Sequence, residues 1–376
     1  MDFRDSEEDA AFRAQARDAL ETAVAALDGP EPATIEERAP YWRAFQRAIH
    51  EAGYAGLSWP QEYGGRDASL TEQAIFLQEY DRAGAPDRLN TLGEGLAGPT
   101  IIDFGSEEHK RRFLEPILRG DEIWCQLFSE PNAGSDLAAL EARAERDGDG
   151  WRITGQKVWT SRAHVSAYGM LLARTGGGPR HKGITYFLLP MDSEGVTIRP
   201  LRHMLGEAEF NEVFLDDVFV PDELRIGEVD GGWKVAMATL SYERVALATG
   251  RVNIQKLIGE LIEMVRDSPY ASDPAVRRKL ASLYARSQVQ RVNGLRALAS
   301  MEKGTPGPET SIGKLFSAPL VEDIADFALS LGGLDAQADD NPWLRLAYQA
   351  RGTSIAGGTT FIQRNIVAER VLGLPR

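Results

Sequence analysis

The first third of the chain carries apolar residues at helical spacing. Between residues 6 and 27 they fall three or four positions apart, and carboxylates fill the first turn of this segment. The same period returns at 41–52, 70–83 and 105–118, with proline- and glycine-containing breaks between the segments. This pattern predicts a mainly α-helical N-terminal domain over residues 1–121.

Two changes of pattern divide the rest of the chain. Short β-rich runs bounded by turn residues occupy 123–128, 151–158, 168–173, 184–190, 196–201 and 209–220, which predicts a strand domain over residues 122–222. Beyond Pro221, long helical patterns return at 233–266, 274–302, 311–331 and 361–372. They predict a C-terminal helical bundle over residues 223–376, so the fold class is α+β.

Composition narrows the function classes. Hydrophobic residues make up 43% of the 376 residues and charged residues 26%, as in ordinary globular proteins. The formal net charge of −14 disfavours nucleic acid and anionic membrane surfaces as partners. The acidic start lacks the basic and apolar regions of a signal peptide, and no apolar run reaches membrane-spanning length. We therefore expect a cytoplasmic protein without a membrane partner.

Several familiar chemistries lack their sequence patterns. One cysteine, Cys125, excludes an internal disulfide, and five scattered histidines without i, i+4 spacing predict no metal site. Gly93, Gly95 and Gly98 satisfy GxGxxG, yet no strand pattern precedes them and Pro99 follows directly. This context favours a glycine-rich turn between helices over a dinucleotide site. No Walker lysine or GxSxG sequence occurs, which removes the usual support for phosphotransferase and hydrolase functions.

A small-residue turn follows the first predicted strand of the middle domain. Residues 126–136 read QLFSEPNAGSD, and their hydroxyls and free backbone N–H groups suit phosphates and heterocycle edges. Asn132 and Gly134 tolerate left-handed backbone angles, which we expect to let the turn fold inward. Taken alone, an ordinary loop explains this segment equally well. Residues 155–161, GQKVWTS, add an aromatic ring and two hydroxyls, as a flat wall and donors for an isoalloxazine ring require.

Six segments together resemble acyl-CoA dehydrogenases in the same order along the chain. They are GLSWPQEYGG at 56–65, SEPNAGSD at 129–136, KVWTS at 157–161, EFNEVF at 209–214, GGW at 231–233 and IQRN at 362–365. The resemblance covers almost the whole chain. It implies an N-terminal α-helical domain, a central β-barrel or sandwich and a C-terminal four-helix bundle. It also implies FAD, held between the last two domains and across a subunit interface.

The resemblance assigns roles to individual positions. Ser135, Tyr242 and Arg244 would contact the substrate, with Ser135 and Arg244 at its CoA part. The residues that would bind the cofactor are Gln126, Phe128, Ser129, Gly134, Ser135, Trp159, Thr160, Ser161, Gly332, Gly333, Thr359 and Phe361.

Desaturation of an acyl thioester needs a carboxylate that removes the α proton while a hydride leaves the β carbon. In many family members this base precedes a Gly-Thr pair in the C-terminal loop, where this chain has Gly357. Other branches carry it on the first long helix of the bundle, where this chain has Glu243. Helical spacing surrounds Glu243 with apolar positions, and burial there would raise its pKa toward neutrality. A structural ion pair with a neighbouring cation is the alternative for Glu243.

The family pattern leaves partners and some contacts open. The resemblance implies an acyl-CoA substrate, an electron-transferring flavoprotein as acceptor, and a homotetramer or homodimer. Leu329 stands where relatives carry a glutamine that touches the flavin tail of a neighbouring subunit, and residues 265–270 give no convincing match for their adenine-side arginine. A heterotetramer with a related subunit would account for these losses. An oxidase or monooxygenase on the same fold, a subunit that completes a neighbour's FAD site, and an acyl carrier protein thioester are further alternatives.

Overall fold

The computed structural model describes residues 5–32, 34–178, 180–248, 253–301, 309–333, 338 and 341–375. Within these ranges, side chains are described except at 243–248, 295, 297–301 and 309–310. The chain divides into two compact units, Met1–Glu243 and Arg244–Arg376.

The first unit begins with helices. They are α1 (Glu7–Ala25), α2 (Ile35–Glu51), α3 (Leu70–Arg82), a π-helical segment (Gly93–Ala97) that continues into α4 (Gly98–Phe104), and α5 (Glu107–Arg119). Hydroxyl side chains that precede α1, α2, α3 and α5 accept hydrogen bonds from first-turn N–H groups and so fix where these helices begin. The first three helices share a core that includes Phe12, Leu20, Phe45 and Phe76.

An eight-stranded sheet follows. Its strands are β1 (Trp124–Leu127), β2 (Arg143–Asp147), β3 (Gly150–Ser161), β4 (Tyr168–Arg174), β5 (Ile184–Pro190), β6 (Val196–Leu201), β7 (Phe210–Pro221) and β8 (Arg225–Ile226). The strand order is β6-β7-β3-β2-β4-β5-β8, and β1 pairs with β4 in parallel. Most other pairs are antiparallel, and β3 and β7 pair along almost their whole lengths.

Strand side chains alternate between two cores. Cys125 and Leu127 of β1 lie in a core formed within the strand domain, together with Ile153, Phe187 and Val213. A second core lies on the other side of β1, where Trp124 and Phe128 pack with side chains of the N-terminal helices. Helix α6 (Gly232–Ala248) joins this second core through Val235 and Ala236. The turn after β1 and the start of α6 are therefore fixed to one packed body.

The second unit is helical. It contains α7 (Ile254–Arg266), α8 (Pro274–Met301), α9 (Glu309–Gly332), α10 (Pro342–Thr353) and α11 (Thr360–Ile366), which continues into a π-helical segment (Val367–Val371). Its core joins one face of each of the first four helices, with Leu261, Leu283, Ile324 and Ala350 fully buried. Among the described residues, no helix combines the length and the apolar character that crossing a bilayer requires.

The predicted order of helical, strand and helical parts is confirmed, whereas the domain boundaries at residues 121 and 222 stay predictions. The glycine-rich turn predicted at Gly93, Gly95 and Gly98 is wrong. The segment is a π-helix that continues into α4. Two of these glycines have a packing reason, because a Cβ at Gly98 would lie 1.9 Å from the Trp59 ring and one at Gly93 would lie 2.3 Å from the Asn90 side chain.

Candidate active site

The turn that follows β1 is closed by its own backbone. Glu130 and Ala133 exchange two N–H···O hydrogen bonds of 3.0 Å, with Pro131 and Asn132 at the tip. Asn132 and Gly134, which tolerate left-handed backbone angles, do not adopt them, since neither residue has a positive φ. The two hydrogen bonds between Glu130 and Ala133 close the turn around its two-residue tip, so the turn needs no left-handed residue.

Several polar groups of this turn remain available to a ligand. Gly134 and Ser135 are exposed, and their backbone N–H groups make no hydrogen bond within the described part of the chain. Gln126 is half-buried, and its Nε2 donor also lacks a partner there. Phe128 is buried with its ring edge against Tyr186, while Ser129 is half-buried and uses its carbonyl to accept from Val158 N at 2.9 Å.

The far end of β3 departs from regular strand geometry. The β3–β7 register shifts between Lys157 and Thr160, which marks a β-bulge, and Trp159 within it has φ of 59°. A left-handed angle is unusual for a bulky residue. The bulge turns the indole outward, where it is 63% exposed and touches Phe210 edge-on at a centroid distance of 6.0 Å. A large flat ring is thus presented to solvent by a strained backbone.

Thr160 follows Trp159 and points inward. Its side chain is 0% exposed, and its Oγ1 has no hydrogen-bond partner among the described residues. Its carbonyl accepts from Asn211 Nδ2 at 3.0 Å, and Asn211 Oδ1 lies 3.1 Å from His164 Nδ1. The next residue, Ser161, pairs with Phe210 and is half-buried. Asn211 and His164 therefore support the strand end, a role that sequence reasoning missed.

A buried ion pair joins the turn to β3. Lys157 is 0% exposed and donates from Nζ to Glu130 Oε1 at 2.7 Å and to the Phe128 carbonyl at 3.3 Å. Burial lowers the pKa of Lys157, although Glu130 opposes the shift. Glu130 also accepts from the backbone N–H groups of Glu141 and Ala142 at 2.6 and 3.0 Å. Glu130 belongs to the SEPNAGSD motif and Lys157 to the KVWTS motif, but only the structure shows that they join the turn to β3.

Helix α6 is held to α4 by two polar contacts one turn apart. Thr239, 0% exposed, shares a hydrogen bond of 2.8 Å with Thr100. Tyr242, a predicted substrate residue, donates from its hydroxyl to the Asp103 carboxylate. Burial, and then the hydrogen bond to Asp103, raise the pKa of this hydroxyl. These contacts fix the rotation of α6 about its axis.

The predicted base and CoA residues come directly after Tyr242. The backbone of Glu243 and Arg244 belongs to α6, but both side chains lie outside the described residues. The positions seven and four residues before Glu243 are Ala236 and Thr239, both 0% exposed. Their burial agrees with the environment predicted for Glu243, whose role stays a prediction.

The remaining predicted cofactor residues lie in the second unit. Gly332 ends α9, and Gly333 follows with a left-handed φ of 58° that suits a glycine after a helix. Thr359 caps α11 by accepting from Ile362 N at 3.3 Å. Phe361 is 71% exposed. A large exposed ring beside a helix start is compatible with ligand contact but does not identify the ligand.

The loop before α11 explains the glycine at the usual base position. Gly357 and Gly358 have φ of 63° and 88°, angles that favour glycine. Lys314 Nζ donates to the Gly358 carbonyl at 2.5 Å, and Gln363 Nε2 donates to the Gly357 carbonyl at 3.0 Å. The loop is therefore held in a shape that a larger residue at 357 would strain.

Taken together, the groups of the first unit suit a flat heterocycle with a hydrogen-bonding edge. The exposed Trp159 ring offers a stacking face. The donors of Thr160 and Gln126 and the N–H groups of Gly134 and Ser135, which bond to none of the described residues, offer edge contacts. The isoalloxazine ring of a flavin has both features, so the residues present fit this cofactor.

Comparisons with known proteins agree along the whole chain. Sequence models of the acyl-CoA dehydrogenase N-terminal, middle and C-terminal domains match residues 6–121, 125–218 and 230–372. Acyl-CoA dehydrogenase IpdE1 of Mycobacterium tuberculosis is 42% identical, and the alignment covers 97% of each chain. The chain belongs to the acyl-CoA dehydrogenase family. It is thus an oxidoreductase of a family whose members act in lipid metabolism and are generally FAD-dependent.

Solved structures give the same fold. The Tcur3481-Tcur3483 steroid ACAD superposes with a TM-score of 0.87 at 29% identity, covering 100% of both chains. The ChsE4-ChsE5 complex from Mycobacterium tuberculosis gives a TM-score of 0.87 at 29% identity, again over 100% of both chains. The acyl-CoA dehydrogenase architecture expected from the sequence is confirmed.

Proposed function

We propose that this acyl-CoA dehydrogenase catalyses FAD-dependent α,β-dehydrogenation of an acyl-CoA thioester to the 2-enoyl-CoA. The observation that carries the cofactor assignment is the end of β3, where an exposed Trp159 ring adjoins the buried Thr160 hydroxyl, which has no hydrogen-bond partner in the described part of the chain. Bound FAD would supply the acceptor for the hydride that leaves the β carbon, at its N5. Gln126, Ser129 and the turn at Gly134 and Ser135 would hold its edge and phosphates.

Glu243 is the proposed base that removes the α proton. Two facts support it: Ala236 and Thr239, which share its face of α6, are buried, and the loop position at Gly357 carries no side chain. Arg244 and Ser135 would contact the CoA part of the substrate. Tyr242 would lie beside the thioester while Asp103 holds its hydroxyl in place.

The proposed acyl group is polycyclic and derived from a steroid. The support is the likeness, over the full length of the chain, to the Tcur3481-Tcur3483 steroid ACAD. An electron-transferring flavoprotein is the proposed acceptor of the electrons.

The test is anaerobic mixing of the FAD-loaded protein with short, long, branched and polycyclic CoA thioesters, followed by the loss of flavin absorbance. We expect bleaching to be fastest with a polycyclic thioester. Glu243→Gln should lose about 10³-fold or more in the bleaching rate, because a positioned base contributes about 10² to 10⁴. Glu228→Gln, which changes an exposed carboxylate just before α6, should bleach like the wild type. Absorbance retained with every thioester contradicts the proposed reaction, and unchanged bleaching by Glu243→Gln moves the base elsewhere.

A second candidate function is that of one subunit in a mixed tetramer. Both similar solved structures are named for two different gene products, and Leu329 of α9 replaces the glutamine expected at the flavin tail. The native mass of the protein and its ratio of bound FAD to polypeptide distinguish a homo-oligomeric enzyme from a mixed tetramer. One FAD per chain in a homo-oligomer supports the homo-oligomeric enzyme. A chain that binds FAD only after a related subunit is added supports the mixed complex.

A further inference from the structure

The two walls of the candidate flavin site come from different parts of the chain. One wall is the turn at residues 128–135, and the other is the bulge at residues 159–161. Among the described residues, three hydrogen bonds join the turn to the part of β3 just before the bulge. The backbone contributes one, from Val158 N to the Ser129 carbonyl at 2.9 Å. The side chain of Lys157 contributes two more, to Glu130 at 2.7 Å and to the Phe128 carbonyl at 3.3 Å.

Glu130 also connects the turn to the residues just before β2. Its two carboxylate oxygens accept from the N–H groups of Glu141 and Ala142, while its backbone closes the turn with Ala133. One ion pair therefore holds the end of β1, the turn and the approach to β2 against β3. Lys157 is 0% exposed and Glu130 is 7% exposed, so water cannot replace these bonds.

The location of the pair is informative because Trp159 lies only two residues beyond Lys157. A left-handed Trp159 is unfavourable by itself and persists only where the surrounding structure over-determines it. The contacts of Lys157 and Val158 fix the strand immediately before this residue. The same contacts set how far the turn lies from the indole.

We propose that Glu130 and Lys157 are positioning residues that set the spacing between the two walls of the flavin site and so determine FAD affinity. This inference rests on the proposed FAD-dependent function. A purely structural ion pair would have a different signature. Replacing both members of a buried pair by uncharged groups is often neutral for stability, whereas removing one strands a buried charge. Stability and cofactor affinity can therefore be separated.

The experiment compares Lys157→Met, Glu130→Gln and the double variant in the full-length chain. Glutamine is chosen at 130 because it keeps the size of the side chain and its one carbonyl oxygen still accepts from one of the two N–H groups, of Glu141 or of Ala142. The apoproteins are unfolded in urea, and FAD is titrated by the quenching of its fluorescence. Arg152→Met is the matched control, because Arg152 lies on the same strand in an exposed pair with Asp147, at 2.9 Å and 43% and 53% exposure.

We expect each single variant to lower the urea midpoint and to weaken FAD binding about tenfold or more. The double variant should regain part of the lost urea midpoint, because no buried charge is left without a partner, but keep the weakened FAD binding and an altered absorbance spectrum of the bound flavin. Arg152→Met should match the wild type in both measurements. Recovery of FAD affinity together with stability in the double variant overturns the inference, as do single variants with wild-type affinity. A wild-type protein that binds no FAD, either alone or with a related subunit added, overturns the proposed function as well.

Discussion

The carboxylate of Glu79 allows a quantitative test of how the N-terminal helices are held together. It lies on α3, is 2% exposed, and accepts from Arg13 and Arg17 of α1 at 3.0 and 2.9 Å. Arg82, three residues further on α3, donates to it at 2.7 Å. Burial alone would raise its pKa, but the hydrogen bonds from Arg17, Arg82 and Arg13 outweigh burial and lower the pKa to about 2.

The size of the effect follows from this pKa. A change from an ordinary 4.5 to about 2 corresponds to about 3 kcal/mol, at about 1.4 kcal/mol per pKa unit. The side chains of Arg13, Arg17 and Arg82 are 22%, 45% and 42% exposed, so solvent screens part of their interaction with Glu79. We therefore expect Glu79→Gln to lower the free energy of unfolding by about 2 kcal/mol at pH 7.

The stabilisation by Glu79 changes with pH in a direction that the two pKa values determine. The unfolded carboxylate titrates near its ordinary value and the folded one near pH 2, so the folded state favours the ionised form. The stabilisation is complete above about pH 5 and is lost as the pH falls, with roughly half remaining at pH 3. The difference between wild type and Glu79→Gln should shrink accordingly.

Urea denaturation followed by circular dichroism at pH 7 and pH 3 measures both quantities. Glu115→Gln on α5 is the control, because Glu115 is 73% exposed and pairs with Arg119 only at 4.0 Å. Its loss should stay within about 0.5 kcal/mol. Equal losses for the two variants, or a difference that grows toward pH 3, would refute the reasoning.

Three further predictions concern packing and accessibility. Gly98→Ala should destabilise by about 1–3 kcal/mol in thermal unfolding because its Cβ would lie 1.9 Å from Trp59, whereas Gly95→Ala, which meets nothing within 4 Å, should be neutral or slightly stabilising. Cys125 should resist iodoacetamide at pH 8 in the native state, since burial raises the pKa of its thiol to about 12; rapid labelling seen by mass spectrometry would contradict this. Thr239→Val should lower the free energy of unfolding, measured in urea, by about 1–2 kcal/mol, and no change would show that its buried hydrogen bonds contribute nothing.

The strand domain shows how far hydrophobic alternation predicts structure. β5 and β6 occupy the predicted ranges 184–190 and 196–201 from end to end. β2 was missed because its sequence, RAERD, has Ala144 as its one buried residue and so lacks an apolar pattern. Its place in the sheet comes from pairing with β3, a long-range contact that local sequence does not encode.

Helix ends were harder to predict than helix existence. The range 233–266, predicted as one pattern, contains α6 and α7, with residues 249–252 outside the described part. α2 begins at Ile35, inside the predicted proline-rich break, and continues through Pro40. The Thr34 cap and burial of Trp42, Phe45 and Ile49 outweigh the hydrogen bond that the proline removes. α10 was not predicted, although Asn341 caps it.

The candidate site separates what residue type predicts from what geometry adds. The sequence identified Trp159, Thr160 and the turn by their chemistry, but it pointed to Asn132 and Gly134 as the residues suited to left-handed backbone angles. In the structure, the left-handed angle is at Trp159 instead. A bulge depends on how β3 and β7 pair, so its position follows from the register of two strands and not from the turn residues.

Two departures from local rules lie side by side where β3 ends, and their position next to each other supports a ligand there. Most buried charges elsewhere in the first unit have partners: Glu79 has three arginines, and Glu94 accepts from Gln46, Arg88 and Gly56 N. At the end of β3, by contrast, a left-handed tryptophan adjoins an unpartnered buried threonine. Folding alone gains nothing from either feature, whereas a bound heterocycle would stack on the first and hydrogen-bond to the second.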